Sequence, residues 1–99
     1  MKMKKGYWIT MFTKINDPAK LEAYRNIAGP VITGAGGKFL ARGLPVKAYE
    51  HGQIERAVLV EFDSVEKAIQ AYESAEYQEA LRALGDGAER DLRIVEGAG

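Results

Sequence analysis

The apolar positions of this chain change period several times, and each change marks an element. Residues 7–13, YWITMFT, are aromatic and β-branched, the composition of a strand. Alternation puts Tyr7, Ile9 and Met11 on one face and Trp8, Thr10 and Phe12 on the other. Both sets carry large apolar side chains, whereas a sheet with one wet face carries polar residues on one set. The period then lengthens. In NDPAKLEAY, Asn16 or Asp17 can cap a helix and Pro18 fits its first turn, where a missing amide donor costs little. Leu21, Tyr24, Ala28 and Val31 follow at helical spacing and should face the sheet. The ring of Pro30 predicts a kink or break near Gly29, and GAGG at 34–37 ends the helix with residues that tolerate left-handed backbone.

The second half repeats the theme. KFLARGLPVKAYE, residues 38–50, reads as a strand disturbed at Gly43 to Pro45, where a bulge or an edge position is expected. His51 and Gly52 resemble a two-residue hairpin turn, with Gly52 supplying the positive φ. ERAVLVEF, residues 55–62, alternates Val58, Val60 and Phe62 with Ala57 and Leu59, again apolar on both faces. DSVEKAIQAY opens a helix capped by Asp63 or Ser64, with Ala68, Ile69 and Tyr72 inward. SAEYQEALRAL restarts at Ser74 with Tyr77, Leu81 and Leu84 inward, which predicts a bend or two short helices. After the loop GDGAERD, LRIVEG at 92–97 is the last strand.

Strand, helix, strand, strand, helix, strand is the split βαβ order of a ferredoxin-like domain: an α+β fold with a four-stranded antiparallel sheet and helices on one side. Residues 1–99 are read as a single such domain. Helices on one side leave the other sheet face to water, yet the strand patterns make it apolar. A homodimer packed sheet to sheet, a dimeric α/β barrel, resolves the conflict, and two-fold dimers are the commonest oligomers.

Charge and composition narrow the functions. Lys plus Arg and Asp plus Glu stand at 14 each, which argues against a general nucleic-acid binder. Without cysteine there is no disulfide framework, thiolate metal site or cysteine nucleophile, a composition that fits the cytoplasm. MKMKKGYWITMF has a charged start but no sustained apolar core or small-residue cleavage site, so no signal peptide is read there. No apolar run approaches the roughly 20 residues that cross a bilayer. A soluble cytoplasmic protein is expected, with no nucleic-acid or membrane partner.

GGKFLARG (36–43), VLVEFDSVEKAIQAYESAEYQEA (58–80) and IVEG (94–97) together resemble the small bacterial family named domain of unknown function 1330, from Tyr7 to Gly97. The resemblance implies a dimeric α/β barrel and no established activity; relatives by fold include small monooxygenases, decarboxylases and stress-responsive barrel proteins. Two positions depart from the family pattern. Ala75 stands where a proline usually follows the serine of the helix restart, which should loosen the restart slightly. Leu44 stands where a second glycine tends to follow ARG, beside the expected bulge.

Arg42 is the residue with no local reason to be where it is. Counting back from a turn at His51–Gly52 places it opposite Glu61, and directly opposed residues interact. A bulge would shift that register. In the functional reading Arg42 grips a carboxylate or enolate through its planar fork, oriented by Glu61; in the structural reading the two form an ion pair at the sheet edge or dimer interface. Tyr7, Tyr24, Tyr72 and Tyr77 can line a pocket or serve as core. His51, the only histidine, falls in a turn. No metal-ligand spacing, phosphate loop or nucleophile elbow emerges, and no cofactor is called for.

The expected function is therefore a small-molecule-binding dimer, or a cofactor-independent enzyme, with the ligand in a helix–sheet cleft. Arg42, Tyr7 and Tyr72 are the candidate ligand-binding residues, with Glu61 in support; no catalytic residue is assigned. The alternative is a non-catalytic stress-related or assembly module acting through its dimer surface. A deep pocket with Arg42 inside favours the first, and Arg42 locked into the interface with no cavity favours the second.

Overall fold

The alternating run of the first strand becomes β1 (Gly6–Ile15) in the computed structural model, which describes residues 4–99. The readings that involve Met1 to Met3, of a charged start and of the signal-peptide pattern, lie partly outside the described residues. The elements then run α1 (Pro18–Gly34), β2 (Lys38–Gly43), β3 (Ala57–Phe62), α2 (Val65–Glu73), α3 (Ala75–Leu84) and β4 (Ala88–Glu96). The sheet order is β2-β3-β1-β4, and every neighbouring pair is antiparallel. This is the ferredoxin-like α+β fold, with the helices over one face of the sheet.

The local chemistry explains the boundaries. Asp17 caps α1: its Oδ1 accepts from the amides of Ala19 at 3.0 Å and Lys20 at 3.3 Å. Ser64 and Ser74 cap the next two helices through the amides of Lys67 and Tyr77, each at 3.1 Å. Ser74 therefore separates two short helices. Gly36, at φ 90°, supplies the left-handed residue that ends α1. Pro30 does not break α1. It is exposed, and the Thr33 hydroxyl donates to the Gly29 and Pro30 carbonyls beside it, so the helix runs through to Gly34. Gly6 is required for close approach, because a Cβ there would lie 2.7 Å from the Ser64 carbonyl oxygen.

The core lies between the sheet and the helices. Trp8, Phe12, Val60 and Phe62 rise from the strands to meet Leu21, Tyr24, Ala28, Ile32, Ala68, Ala71, Tyr77, Ala80 and Leu84. Inward positions differ from expectation by one residue in places. Ile32 is buried where Val31 is only partly so, Ala71 is buried beside a partly buried Tyr72 while Ile69 is exposed, and Ala80 is buried beside a partly buried Leu81. Each is the adjacent residue on a helical face about 100° wide, which spacing alone does not resolve.

Among the described residues no helix covers the other face of the sheet. Register places Tyr7, Ile9 and Met11 beside Glu61, Leu59 and Ala57 of β3 and Val95, Arg93 and Asp91 of β4. Its centre is apolar, as the alternation implies, while Arg93 and Asp91 pair at the edge and Lys38 stands opposite Glu61.

The hairpin is the largest departure. β2 ends at Gly43, and residues 44–56 form a loop instead of extending the strand. Its turn is centred on Glu50 and His51, closed by the Gly52 amide on the Tyr49 carbonyl at 2.9 Å, and Glu50, not Gly52, carries the positive φ. Leu44, Val46, Tyr49 and Ile54 in this loop are all exposed. Gly43 and Pro45 end the strand here, consistent with the poor fit of both residues to a ladder.

Candidate functional site

Three cross-sheet rows on the helix-facing side build a cleft against α1. The first row is Phe39, Val60 and Trp8; the second is Arg42, Val58 and Thr10. In the third, the Phe12 amide donates to the Arg56 carbonyl at 2.9 Å and Phe12 opposes Arg90. The rows turn from apolar to cationic along the sheet. With Glu22, Arg25, Asn26, Ala28, Gly29 and Ile32 from α1 they surround about 170 Å³.

The placement of Arg42 corrects the expected register. Arg42 lies opposite Val58, and Lys38 takes the place beside Glu61. Two departures add up: the strands are joined by the 44–56 loop instead of a two-residue turn, and a bulge at Leu40, between Phe39 and Ala41, inserts one residue upstream of the glycine and proline that suggested one. The extra residue moves Arg42 to the helix-facing side, because a one-residue slip exchanges the two faces. An Arg42–Glu61 pair does not form. Arg42 is exposed at the rim, its guanidinium 4.4 Å from the centre of the Phe39 ring. That contact holds the guanidinium among the cleft's lining residues.

Tyr7 and Glu61 meet on the opposite face, where the Tyr7 hydroxyl donates to Glu61 Oε2 at 3.1 Å. The bond and the adjacent carboxylate raise the Tyr7 pKa, since both stabilise the neutral phenol. Tyr72 packs edge-on to Trp8, with ring centres 5.9 Å apart, behind the cleft wall. The four sequence candidates thus separate: Arg42 at the cleft, Tyr7 with Glu61 on the open face, and Tyr72 in the aromatic layer.

Other residues complete the cleft. Tyr24 and Tyr77 share a hydrogen bond of 2.6 Å, and Arg90 donates to Tyr24 Oη at 3.0 Å and to Tyr77 Oη at 3.5 Å. Arg90 also lies over the Tyr24 ring at 4.9 Å. Burial raises the Tyr77 pKa, and the Tyr24 phenol adds to the effect. In Arg56, by contrast, burial and then the charges of Arg25 and Arg42 hold the pKa below its usual value. Arg25 pairs with Glu22 at 3.4 Å. Among the described residues no ion pair includes Arg42, Arg56 or Arg90, and no group of three acidic or imidazole side chains is placed to hold a metal.

Tyr77 makes alkaline stability a measurable property. Its phenol ionises in the unfolded chain near the ordinary value of about 10 but only at higher pH in the fold. Above that ordinary value the unfolded state holds fewer protons, so stability falls with rising pH. Tyr77→Phe should make this fall shallower in urea unfolding between neutral and strongly alkaline pH; an unchanged slope would show that Tyr77 does not govern it.

The profile of one family of domains of unknown function matches residues 5–98. The chain belongs to the DUF1330 family. No curated protein matches the sequence. Among solved structures, the DUF1330 chain is similar to a protein of unknown function from Rhodopseudomonas palustris, with 16% identity, a TM-score of 0.74, and coverage of 99% of this chain and 85% of that one. It is similar to SnoaB, a cofactor-independent oxygenase from Streptomyces nogalater, with 13% identity, a TM-score of 0.66, and coverage of 97% and 95%. A dimeric ferredoxin-like protein of unknown function from Bacteroides fragilis matches with 14% identity, a TM-score of 0.60, and coverage of 97% and 99%. At these identities the likeness is one of fold.

Arg56 and Arg90 escaped the sequence reading. Arg56 sits at the leading edge of the strand read over 55–62, and Arg90 falls in the loop GDGAERD. The available signal was parity: Arg56 shares its face with Val58 and Val60 by simple alternation.

Proposed function

We propose that this protein binds a small organic molecule in the cleft between α1 and the sheet, as a homodimer of one ferredoxin-like domain spanning residues 1–99. The observation that carries the reading is Arg42 on the helix-facing side, at the rim of a formed cleft and, among the described residues, without a carboxylate partner. An assembly module acting only through its dimer surface needs neither the cleft nor an arginine aimed at it. Tyr24, Arg56 and Arg90 join Arg42 as binding residues; Tyr7 and Glu61 serve the open face and Tyr72 supports Trp8. The cysteine-free composition supports a cytoplasmic location. Chemistry without a cofactor on the bound molecule is a second reading, supported by the fold of the Streptomyces oxygenase, and turnover of a bound compound is its test.

A thermal-shift screen against small acids, phenols and quinones, run on wild type and Arg42→Ala, tests the binding reading. A ligand that binds only the folded state raises the melting temperature by mass action. The expected result is at least one hit that weakens in a variant folded as well as wild type. No hit in any class would contradict the reading.

The dimer is supported by the apolar centre of the open face, where Met11 is half exposed, and by the exposed apolar residues of the 44–56 loop. Burying an unpaired ammonium in such an interface is costly. Ile9 lies between Leu59 and Arg93 on that face, so a lysine there has no carboxylate opposite it, and Ile9→Lys is expected to shift the molar mass measured by light scattering from dimer to monomer; a wild-type monomer would refute the pairing.

A further inference from the structure

We propose that the cleft selects a monocyclic aromatic carboxylate, with its ring on the apolar row of Phe39, Val60 and Trp8 and its carboxylate between Arg42 and Arg56. This inference rests on the binding reading above and adds the ligand's chemical class. Two independent properties of the cleft support it.

The first is charge. Four arginines and one glutamate line the cleft, and the glutamate is already paired with Arg25. Arg90 has phenol acceptors in Tyr24 and Tyr77, whereas no side-chain acceptor serves Arg42 or Arg56 among the described residues. Arg56 is half-buried and next to other positive charges, which depress its pKa. A fold stabilised for its own sake would place a carboxylate here, since unpaired, partly desolvated charge is unfavourable. A ligand anion meets the same requirement, and guanidinium forks bind carboxylates with two parallel hydrogen bonds.

The second is shape and gradient. Register alone sets an apolar row at one end and the arginines one and two rows along the same face. A cavity of about 150 Å³ lined by aliphatic and aromatic side chains accepts benzene, and this cleft encloses about 170 Å³. One six-membered ring fills the apolar end and leaves its substituent at the arginines. Thr10, almost fully buried in the second row, adds a hydroxyl beside the junction of ring and charge.

Calorimetric titration with benzoate, benzamide and inorganic phosphate tests the inference on wild type, Arg42→Gln and Arg56→Gln. Benzamide keeps the ring and removes the charge; phosphate keeps the charge and removes the ring. Hydrogen bonds to charged groups predict that benzoate binds about tenfold or more tightly than benzamide. Each Gln variant should lose most of that preference while its benzamide affinity stays unchanged. Equal binding of benzoate and benzamide by wild type would overturn the inference and leave the binding reading intact. Phosphate binding as tightly as benzoate, and competing with it, would overturn the aromatic assignment. Binding of none of the three would overturn the inference even if the wider screen finds a phenol or quinone. The wild-type comparison needs no variant, so poor folding of a Gln variant does not shield the proposal.

Discussion

Trp8→Ala is expected to lower the free energy of unfolding by about 3–5 kcal/mol, the range for removing a large buried aromatic side chain. Trp8 is 1% exposed. Its ring centre lies 5.2 Å from that of Phe62 and 5.0 Å from that of Tyr77, and its indole N–H donates to the Ala68 carbonyl at 2.8 Å. One side chain thus joins β1 to β3, α2 and α3. Truncation opens a void at the centre and leaves the Ala68 carbonyl without that donor. Total stabilities of about 5–15 kcal/mol make such a loss severe. Trp8→Phe separates the contributions: it restores much of the ring packing, so a residual loss of about 1–3 kcal/mol reports the missing hydrogen bond. Urea unfolding followed by circular dichroism measures both. A Trp8→Ala variant as stable as wild type would place the core elsewhere. Trp8 is also the only tryptophan and lines the cleft, so its fluorescence should report ligand binding in wild type.

Arg56→Met should have opposite effects on stability and on binding. In the unliganded fold, burial and the neighbouring Arg25 and Arg42 disfavour the Arg56 charge. Its folded pKa is lowered, so the charged form is held less favourably in the native state than in the unfolded chain. Methionine removes the charge and retains an apolar stem, and the backbone carbonyl that accepts from Phe12 is unchanged. The melting temperature without ligand is therefore expected to equal or exceed that of wild type, while benzoate affinity falls about tenfold, the loss of one charge-assisted contact. Stability given up for a binding residue is a known trade in natural proteins. A clear drop in melting temperature with no change in binding would make Arg56 a structural residue.

Much of this fold is legible in the sequence because local rules agree with one another. Asp17, Ser64 and Ser74 cap helices through hydrogen bonds that depend only on nearby residues, and YWITMFT alternates without interruption. The site was less legible because it depends on register. Register is set by turn geometry and bulges, and here both lay outside the local signals. Gly43 and Pro45 suggested a disturbance at least three residues too late, since the bulge falls at Leu40, a residue with no special backbone requirement. Gly52 suggested a tight turn, but Glu50 takes the left-handed conformation and the strands separate into a loop. The bulge put Arg42 on the helix-facing side, and Arg90 was hidden separately, because GDGAERD reads as a loop while β4 already starts at Ala88. Glu61 is grouped with Arg42 by the expected register, and in the fold it meets Tyr7 instead.

The account is tested most directly by diffraction from crystals soaked in 4-bromobenzoate, with the bromine located by its anomalous signal. The expected peak lies against Trp8, Phe39, Val60 and Ile32, with the carboxylate directed at Arg42 and Arg56. Bromine found only on the open sheet face, or only in the recess beneath the loop near Leu44 and Tyr49, would contradict a binding site between α1 and the sheet.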